Sequence, residues 1–207
     1  MLNAKDVMQI SKIIPVMSVD SVDESLHLAE ALIEGGVSIF EITLRTTCAV
    51  DAISAVAKAF PNATTGVGTV LSPEQFKMVE DAGATFAISP GLTDSLANYK
   101  NSIPLLPGVA TASEIMRGLE YGYDAFKLFP ANIIGGIGAL KSFGAPFGDV
   151  VFCPTGGVNA ENAKEFLALK NVLCVGGSWI VPKSLIKEDN FKEITKITQE
   201  SLRSISS

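Results

Sequence analysis

The chain has 207 residues, 47% of them apolar and 18% charged, and a formal net charge of −6. That composition belongs to a globular protein with one sizeable core; it predicts a single domain over 1–207 and excludes a disordered or fibrous chain. The acidic balance and the lack of a clustered basic patch exclude nucleic acid and anionic membranes as partners, so an anionic ligand must be held by local donors.

Residues 1–11 lack the cationic start and apolar run of a secretory leader, and no stretch approaches the roughly 18 apolar residues of a membrane span; a cytoplasmic chain is expected. Cys48, Cys153 and Cys174 are odd in number and form no C-x-x-C pair, so they read as reduced thiols rather than disulfides or zinc ligands.

Short apolar, β-branched runs fall at 13–18, 38–43, 64–69, 85–89, 103–107, 125–129, 150–153 and 172–175. Segments of helical period separate them, such as 21–35, 47–60 and 72–83, each opened by a Ser or Thr suited to an N-cap. Several close at glycine, as at Gly35, Gly83 and Gly122, where a left-handed position is easiest. The alternation predicts an α/β fold with a parallel sheet: a single compact (β/α)8 TIM barrel with about 25 residues per unit. Residues 1–12 are expected as an extra N-terminal helix under the barrel and 188–204 as a closing C-terminal helix. An open doubly wound sheet is the competing arrangement.

Strands covered by helices on both sides are buried, so a charge within one needs a partner or a task. Twelve of the thirteen lysines fall in helical or loop segments, but Lys127 lies inside Ala125-Phe126-Lys127-Leu128-Phe129-Pro130. Glu41 holds the equivalent place in Ile39-Phe40-Glu41-Ile42-Thr43. By count these are strands 2 and 6, which would face each other across a closed barrel and share one pocket. An inert buried ion pair is the alternative, although such a pair is often no more stabilising than apolar replacements. Burial among Phe126, Leu128 and Phe129 penalises the ammonium form, while a nearby carboxylate favours it. A neutral amine attacks ketones, and the resulting iminium is an electron sink for a carbanion on the neighbouring carbon. A carboxyl within reach would move the protons. This is the chemistry of a Schiff-base, or class I, aldolase.

Arg45, just past the second strand, is suited to holding a carboxylate bidentately, with a surface ion pair as the alternative. Thr69, Pro90 and Thr155 end the third, fourth and seventh strands, and Phe129, two residues beyond Lys127, would line the carbon chain of a small substrate. Glycine-rich turns, Thr155-Gly156-Gly157-Val158-Asn159 and Gly176-Gly177-Ser178-Trp179, follow the last two strands. In barrels of this kind such loops often bind phosphate through backbone N–H groups; either alone would read as an ordinary tight turn. The one histidine, His27, falls in a helical segment, which disfavours a histidine base or a His-rich metal site.

The run Gly36-Val37-Ser38-Ile39-Phe40-Glu41-Ile42-Thr43-Leu44-Arg45 resembles the active-site glutamate motif of the 2-keto-3-deoxy-6-phosphogluconate (KDPG) / 4-hydroxy-2-oxoglutarate (KHG) aldolase family. The stretch from Gly122 through Phe126-Lys127-Leu128-Phe129-Pro130-Ala131 to Gly135 resembles its Schiff-base motif. Similarity continues through Gly66-Val67-Gly68-Thr69, Ile88-Ser89-Pro90-Gly91, Pro107-Gly108, Cys153-Pro154-Thr155-Gly156-Gly157 and Gly176-Gly177-Ser178-Trp179. The resemblance implies that Lys127 forms the iminium with pyruvate or its adduct and that Glu41 is the general acid/base. It implies that Arg45, Thr69 and Thr155 surround the pyruvate carboxylate, and that Gly156, Gly157, Gly177 and Ser178 hold a distal phosphate.

It further implies a homotrimer without cofactor or metal, acting in the Entner–Doudoroff pathway to give pyruvate and glyceraldehyde 3-phosphate, with KHG cleavage to pyruvate and glyoxylate as a companion activity. Some members carry an arginine soon after the first strand, where this chain has Met17-Ser18. A sister group acting on the galactonate epimer has Asn where this chain has Arg45-Thr46, so the arginine favours the gluconate substrate. The competing readings are a phosphosugar isomerase or epimerase on the same fold, a metal-dependent pyruvate aldolase, and a non-catalytic sugar-phosphate binder. A strand-buried Lys127 argues against the isomerase, which needs no such amine.

Overall fold

A computed structural model describes residues 2–206; Met1 and Ser207, the ends of the expected 1–207 domain and, for Met1, of the expected first helix, lie outside the described residues. In chain order the elements are α1 (Ala4–Ile10), β1 (Ile13–Met17), α2 (Val22–Glu34), β2 (Ile39–Thr43), α3 (Ala49–Ala59), β3 (Thr64–Gly68), α4 (Pro73–Asp81), β4 (Phe86–Ile88), α5 (Asp94–Ala97) and β5 (Leu105–Leu106). There follow β6 (Gly108–Val109), α6 (Ala112–Glu120), β7 (Ala125–Leu128), α7 (Gly136–Gly144), β8 (Val151–Pro154), α8 (Ala163–Leu167), β9 (Val175–Gly177), α9 (Lys183–Lys187) and α10 (Phe191–Ser206). No helix among the described residues is long and apolar enough to cross a membrane.

Strand pairing is parallel throughout, as the alternation of strands and helices requires. The closed eight-strand TIM barrel expected from the sequence is not what forms. The strands divide into a six-stranded sheet, β5-β4-β3-β2-β1-β9, and a three-stranded sheet, β6-β7-β8. One break falls at Pro107: it has no N–H to give, and the run 103–107 becomes a two-residue β5 paired with β4, then a separate β6 paired with β7. At the other junction β8 and β9 meet only through the isolated bridge Thr155↔Gly176, with Phe152↔Val172 behind it. The last strand therefore runs later than 172–175, and Gly176 and Gly177 lie within it rather than in a turn beyond it.

The two sheets share an interior. Ile14, Ile39, Phe86, Ile88 and Leu106 of the larger sheet pack with Ala125 and Cys153 of the smaller, and Val7 and Met8 of α1 close this cluster, the role expected of the N-terminal helix. Cys174 is buried in the same cluster, where burial first and then the Cys153 thiol push its own thiol well up.

Capping sets the helix ends. The Ser21 hydroxyl accepts from Glu24 N–H and Ser72 from Gln75 N–H, starting α2 and α4 as expected. By contrast, α3 begins after Cys48 rather than Thr47, with no side-chain cap. After α2 the left-handed residue is Gly36 (φ 97°) rather than Gly35, whose φ of −71° is helical. Asn190 accepts from Glu193 N–H at 3.3 Å and so starts the closing helix α10 at Phe191; α10 lies on α2, where Thr195 donates to the Ala31 carbonyl at 3.1 Å.

Helix α6 covers β7 through Gly118, where an added Cβ would run into the Phe126 ring. Alanine at a helix interior normally gains about 1 kcal/mol over glycine, but forcing a methyl against a fully buried ring costs roughly 1–3 kcal/mol. Gly118→Ala is expected to lower Tm by a few degrees, about 2–4 °C per kcal/mol lost; a higher Tm in a thermal melt would show that the α6–β7 contact has slack.

Candidate active site

The site forms where the C-terminal ends of β2 and β7 approach from opposite sheets. β2 runs between β1 and β3, and β7 between β6 and β8, so ladders on both sides fix each backbone. Glu41 is the register partner of Val16 and of Gly66, and Lys127 of Gly108 and of Cys153. These placements bring Lys127 Nζ to 3.5 Å from Glu41 Oε1. Both are buried, with 5% of Lys127 and 1% of Glu41 exposed. The ammonium also lies 5.1 Å from the centroid of the Phe129 ring, within cation–π range.

Two glycines make the approach possible. An added Cβ at Gly68 would run into the Glu41 carboxylate, and one at Gly108 into the Pro90 carbonyl. Gly68 thus cradles the acid, and Gly108 lets the backbone at Pro90 close over the strand beside Lys127. Neither glycine was singled out from the sequence, although a glycine inside a strand marks close approach, and both stand in runs that resemble the family's.

The other expected residues fall at the same end of the sheets. Thr69 follows Gly68 with φ 64°, a left-handed conformation that a β-branched residue adopts only at a cost. Thr155 is buried; its Oγ1 is 3.9 Å from Cys153 Sγ and would meet a Cβ at Gly176. Gly156 and Gly157, with φ 98° and 81°, turn against the chain after β7. There the Gly157 carbonyl accepts from Asn132 at 2.7 Å and Asn162 at 3.0 Å, while Asn132 N–H donates to the Gly156 carbonyl at 3.0 Å. Gly177 ends β9 beside Pro15, and the Trp179 ring lies against it, tied by its indole N–H to Ser201 of α10 at 3.2 Å.

Arg45 and Ser178 are exposed and line a cavity of about 660 Å³ between the ends of β1, β2 and β9. Arg45 makes no ion pair with a described residue, contrary to the surface-bridge alternative. His27 sits on the outer face of α2, its ring 5.3 Å from Phe191 and its Nδ1 3.7 Å from Asp23. Sequence reasoning gave no site role to Ser18, Thr46 or Lys183, which line the same cavity; short polar residues in loops carry no periodic signal, and a lysine at the start of a short helix reads as a solvated one.

Residues 4–197 match the family model for KDPG and KHG aldolases. The chain is 47% identical to the KHG/KDPG aldolase of Escherichia coli K12 over 202 residues, 97% of this chain and 95% of the other. Its fold superposes with a TM-score of 0.96 on a KDPG aldolase from Legionella pneumophila, at 47% identity and covering 97% and 98% of the two chains. That protein was captured with pyruvate at low pH as a covalent carbinolamine. A Zymomonas mobilis 2-keto-3-deoxy-6-phosphogluconate aldolase solved with 3-phosphoglycerate gives a TM-score of 0.90 at 41% identity, covering 96% and 94%.

The glycine cradle can be tested without touching a titratable group. Gly68→Ala should push the Glu41 carboxylate off Lys127 and cut kcat by about 10²-fold, the scale of an ångström-sized misplacement of a reacting group. Wild-type turnover in a folded Gly68→Ala protein would mean that the acid tolerates displacement.

Proposed function

The chain belongs to the KDPG and KHG aldolase family, and from that premise we propose that Lys127 and Glu41 together carry its covalent chemistry. The chain is a class I aldolase that cleaves 2-keto-3-deoxy-6-phosphogluconate to pyruvate and glyceraldehyde 3-phosphate. The observation that supports the assignment of roles is the 3.5 Å approach of a buried amine to a buried carboxylate at two strand ends.

The Lys127 amine adds to the C2 ketone, and loss of water from the carbinolamine gives the iminium. Glu41, directly or through water, takes the proton of the C4 hydroxyl. The C3–C4 bond breaks, its electron pair flows into the iminium to leave an enamine, and the aldehyde departs. Protonation at C3 and addition of water then release pyruvate and restore the amine. Burial keeps bulk water from protonating the enamine early, and the Phe129 ring stabilises the cationic nitrogen.

Arg45, Thr69 and Thr155 hold the pyruvate carboxylate, and Pro90 and Phe129 confine the carbon chain. Gly156, Gly157, Gly177 and Ser178 receive the distal phosphate. Arg45 also favours the gluconate over the galactonate epimer. KHG cleavage to pyruvate and glyoxylate uses the same pyruvate half, and is supported by the combined name of the E. coli relative. The reading includes one domain over 1–207, a homotrimer as the family resemblance implies, cytoplasmic location and no metal or other cofactor. Activity lost in chelator and restored by a divalent ion would overturn the metal-free mechanism.

Incubation with pyruvate followed by borohydride should fix one adduct on Lys127, located by mass spectrometry after digestion. An unmodified Lys127 in folded, active protein would remove the covalent role and favour the isomerase reading. Glu41→Gln should lower kcat by at least about 10²-fold, as loss of a general acid/base does, while leaving pyruvate able to form the reducible adduct. Unchanged turnover would place the acid elsewhere.

A further inference from the structure

The cavity lined by Arg45 and Ser178 contains polar residues given no role so far. Val16, which lines it, is the register partner of Glu41, so one wall of the cavity is the strand next to the acid's. Ser18, Arg45, Ser178 and Lys183, the first residue of α9, line it as well. Lys183 is exposed and makes no ion pair with a described residue.

Two carboxylates lie near it. Asp20 lines the same cavity, and Glu24 is close enough to feel the charge of Lys183. Glu24 is already occupied, accepting from the Asp20 backbone N–H at 3.3 Å, and is raised mainly by its burial. Asp20 repels an anion entering the cavity, and the chain's net charge of −6 adds to that repulsion.

We infer that Lys183 is a specificity-determining residue, its ammonium completing with Ser178 the seat for the phosphoryl group at the substrate end remote from Lys127. The inference rests on the reading above that the substrate is a six-carbon phosphorylated keto acid anchored at Lys127. With the ketone fixed there, the far end of the chain points out of the interior, and this cavity, walled by the strand next to Glu41, lies at the same end of the sheets. Arg45, attached directly to the end of β2, serves the carboxylate end in that reading. This leaves Lys183 as the cation for the outer end, and a flexible point charge suits a phosphate whose position varies with the chain that carries it. If Lys183 only balanced Asp20 and Glu24, its loss would affect all substrates alike.

The test compares KDPG with KHG, whose second carboxylate is attached next to the cleaved bond and does not reach the outer cavity. Lys183→Met is expected to raise KM for KDPG about tenfold, the scale of one charge-assisted hydrogen bond, and to raise it far more than KM for KHG, with the loss in KM rather than kcat. Lys183→Arg should recover most of the loss, and inorganic phosphate should inhibit the wild type more strongly than Lys183→Met. Asp20→Asn should shift KM for KDPG the opposite way. Equal shifts in KM for both substrates, no shift, or a fall confined to kcat would overturn the assignment to Lys183. A wild-type protein that cleaves KHG but not KDPG would instead overturn the substrate reading, which separates the two failures.

Discussion

Everything else in the molecule can be understood from the difficulty of keeping an amine and a carboxylate together out of water. Stripping solvent from each ion costs several kcal/mol, and attraction between them repays this only when the geometry is held by their surroundings. Glu41 and Lys127 are held in this way on strands flanked on both sides, one in each sheet, so neither backbone can drift without breaking a ladder. Below them the interior is filled by aliphatic and aromatic side chains and closed by Val7 and Met8 of α1. The dry end of the fold and the reactive end are therefore one design: sealing the bottom leaves the strand ends as the way in for substrate.

The same demand explains where side chains are missing and where the backbone is strained. Gly68 gives up its side chain to the Glu41 carboxylate, and the next residue, Thr69, takes up a left-handed conformation with φ 64°. A β-branched residue there costs roughly 1–3 kcal/mol, and such strain persists only where neighbours over-determine it. Here the Leu44 N–H donates to the Gly68 carbonyl at 2.9 Å, and the Thr43 hydroxyl ties the end of β2 to the Met17 carbonyl at 2.9 Å. Three strand ends, of β1, β2 and β3, are locked at the edge of the site, and the loops that carry Arg45 and Thr69 leave from that rigid rim.

Most of the strands and the buried Lys127–Glu41 pair were legible in the sequence, because burial on both faces makes a charge in an apolar run conspicuous. Lys127 and Glu41 needed nothing more than that contrast. Closure of the sheet was not legible, because it turns on particular hydrogen bonds. A proline at 107 and a single bridge between Thr155 and Gly176 interrupt the ladder without disturbing the apolar pattern on which the barrel was predicted. Helix ends were readable where a serine supplied the cap and misplaced where Cys48 did, since cysteine is no capping signal. Lys183 was invisible for a tertiary reason: a lysine opening a short helix looks like any solvated lysine until the ends of β1, β2 and β9 converge around it.

An acidic enzyme with an anionic substrate poses an electrostatic problem that net charge does not decide. At physiological ionic strength exposed charges are screened beyond about 8 Å, so the overall −6 matters mainly during approach, and groups lining the cavity govern binding. On those walls Arg45 and Lys183 oppose Asp20, and the hydroxyls of Ser18, Thr46 and Ser178 add neutral donors. In the proposed mechanism the covalent step is indifferent to this balance, because Lys127 and Glu41 would handle the pyruvate half, which is common to KDPG and KHG. Discrimination between a phosphorylated and a short dicarboxylic substrate must therefore lie outside the buried pair, in cavity residues that can change without disturbing the costly arrangement beneath them. Separating a costly, rigid buried pair from an exposed cavity surface would let recognition change while the strand ends beneath stay as they are.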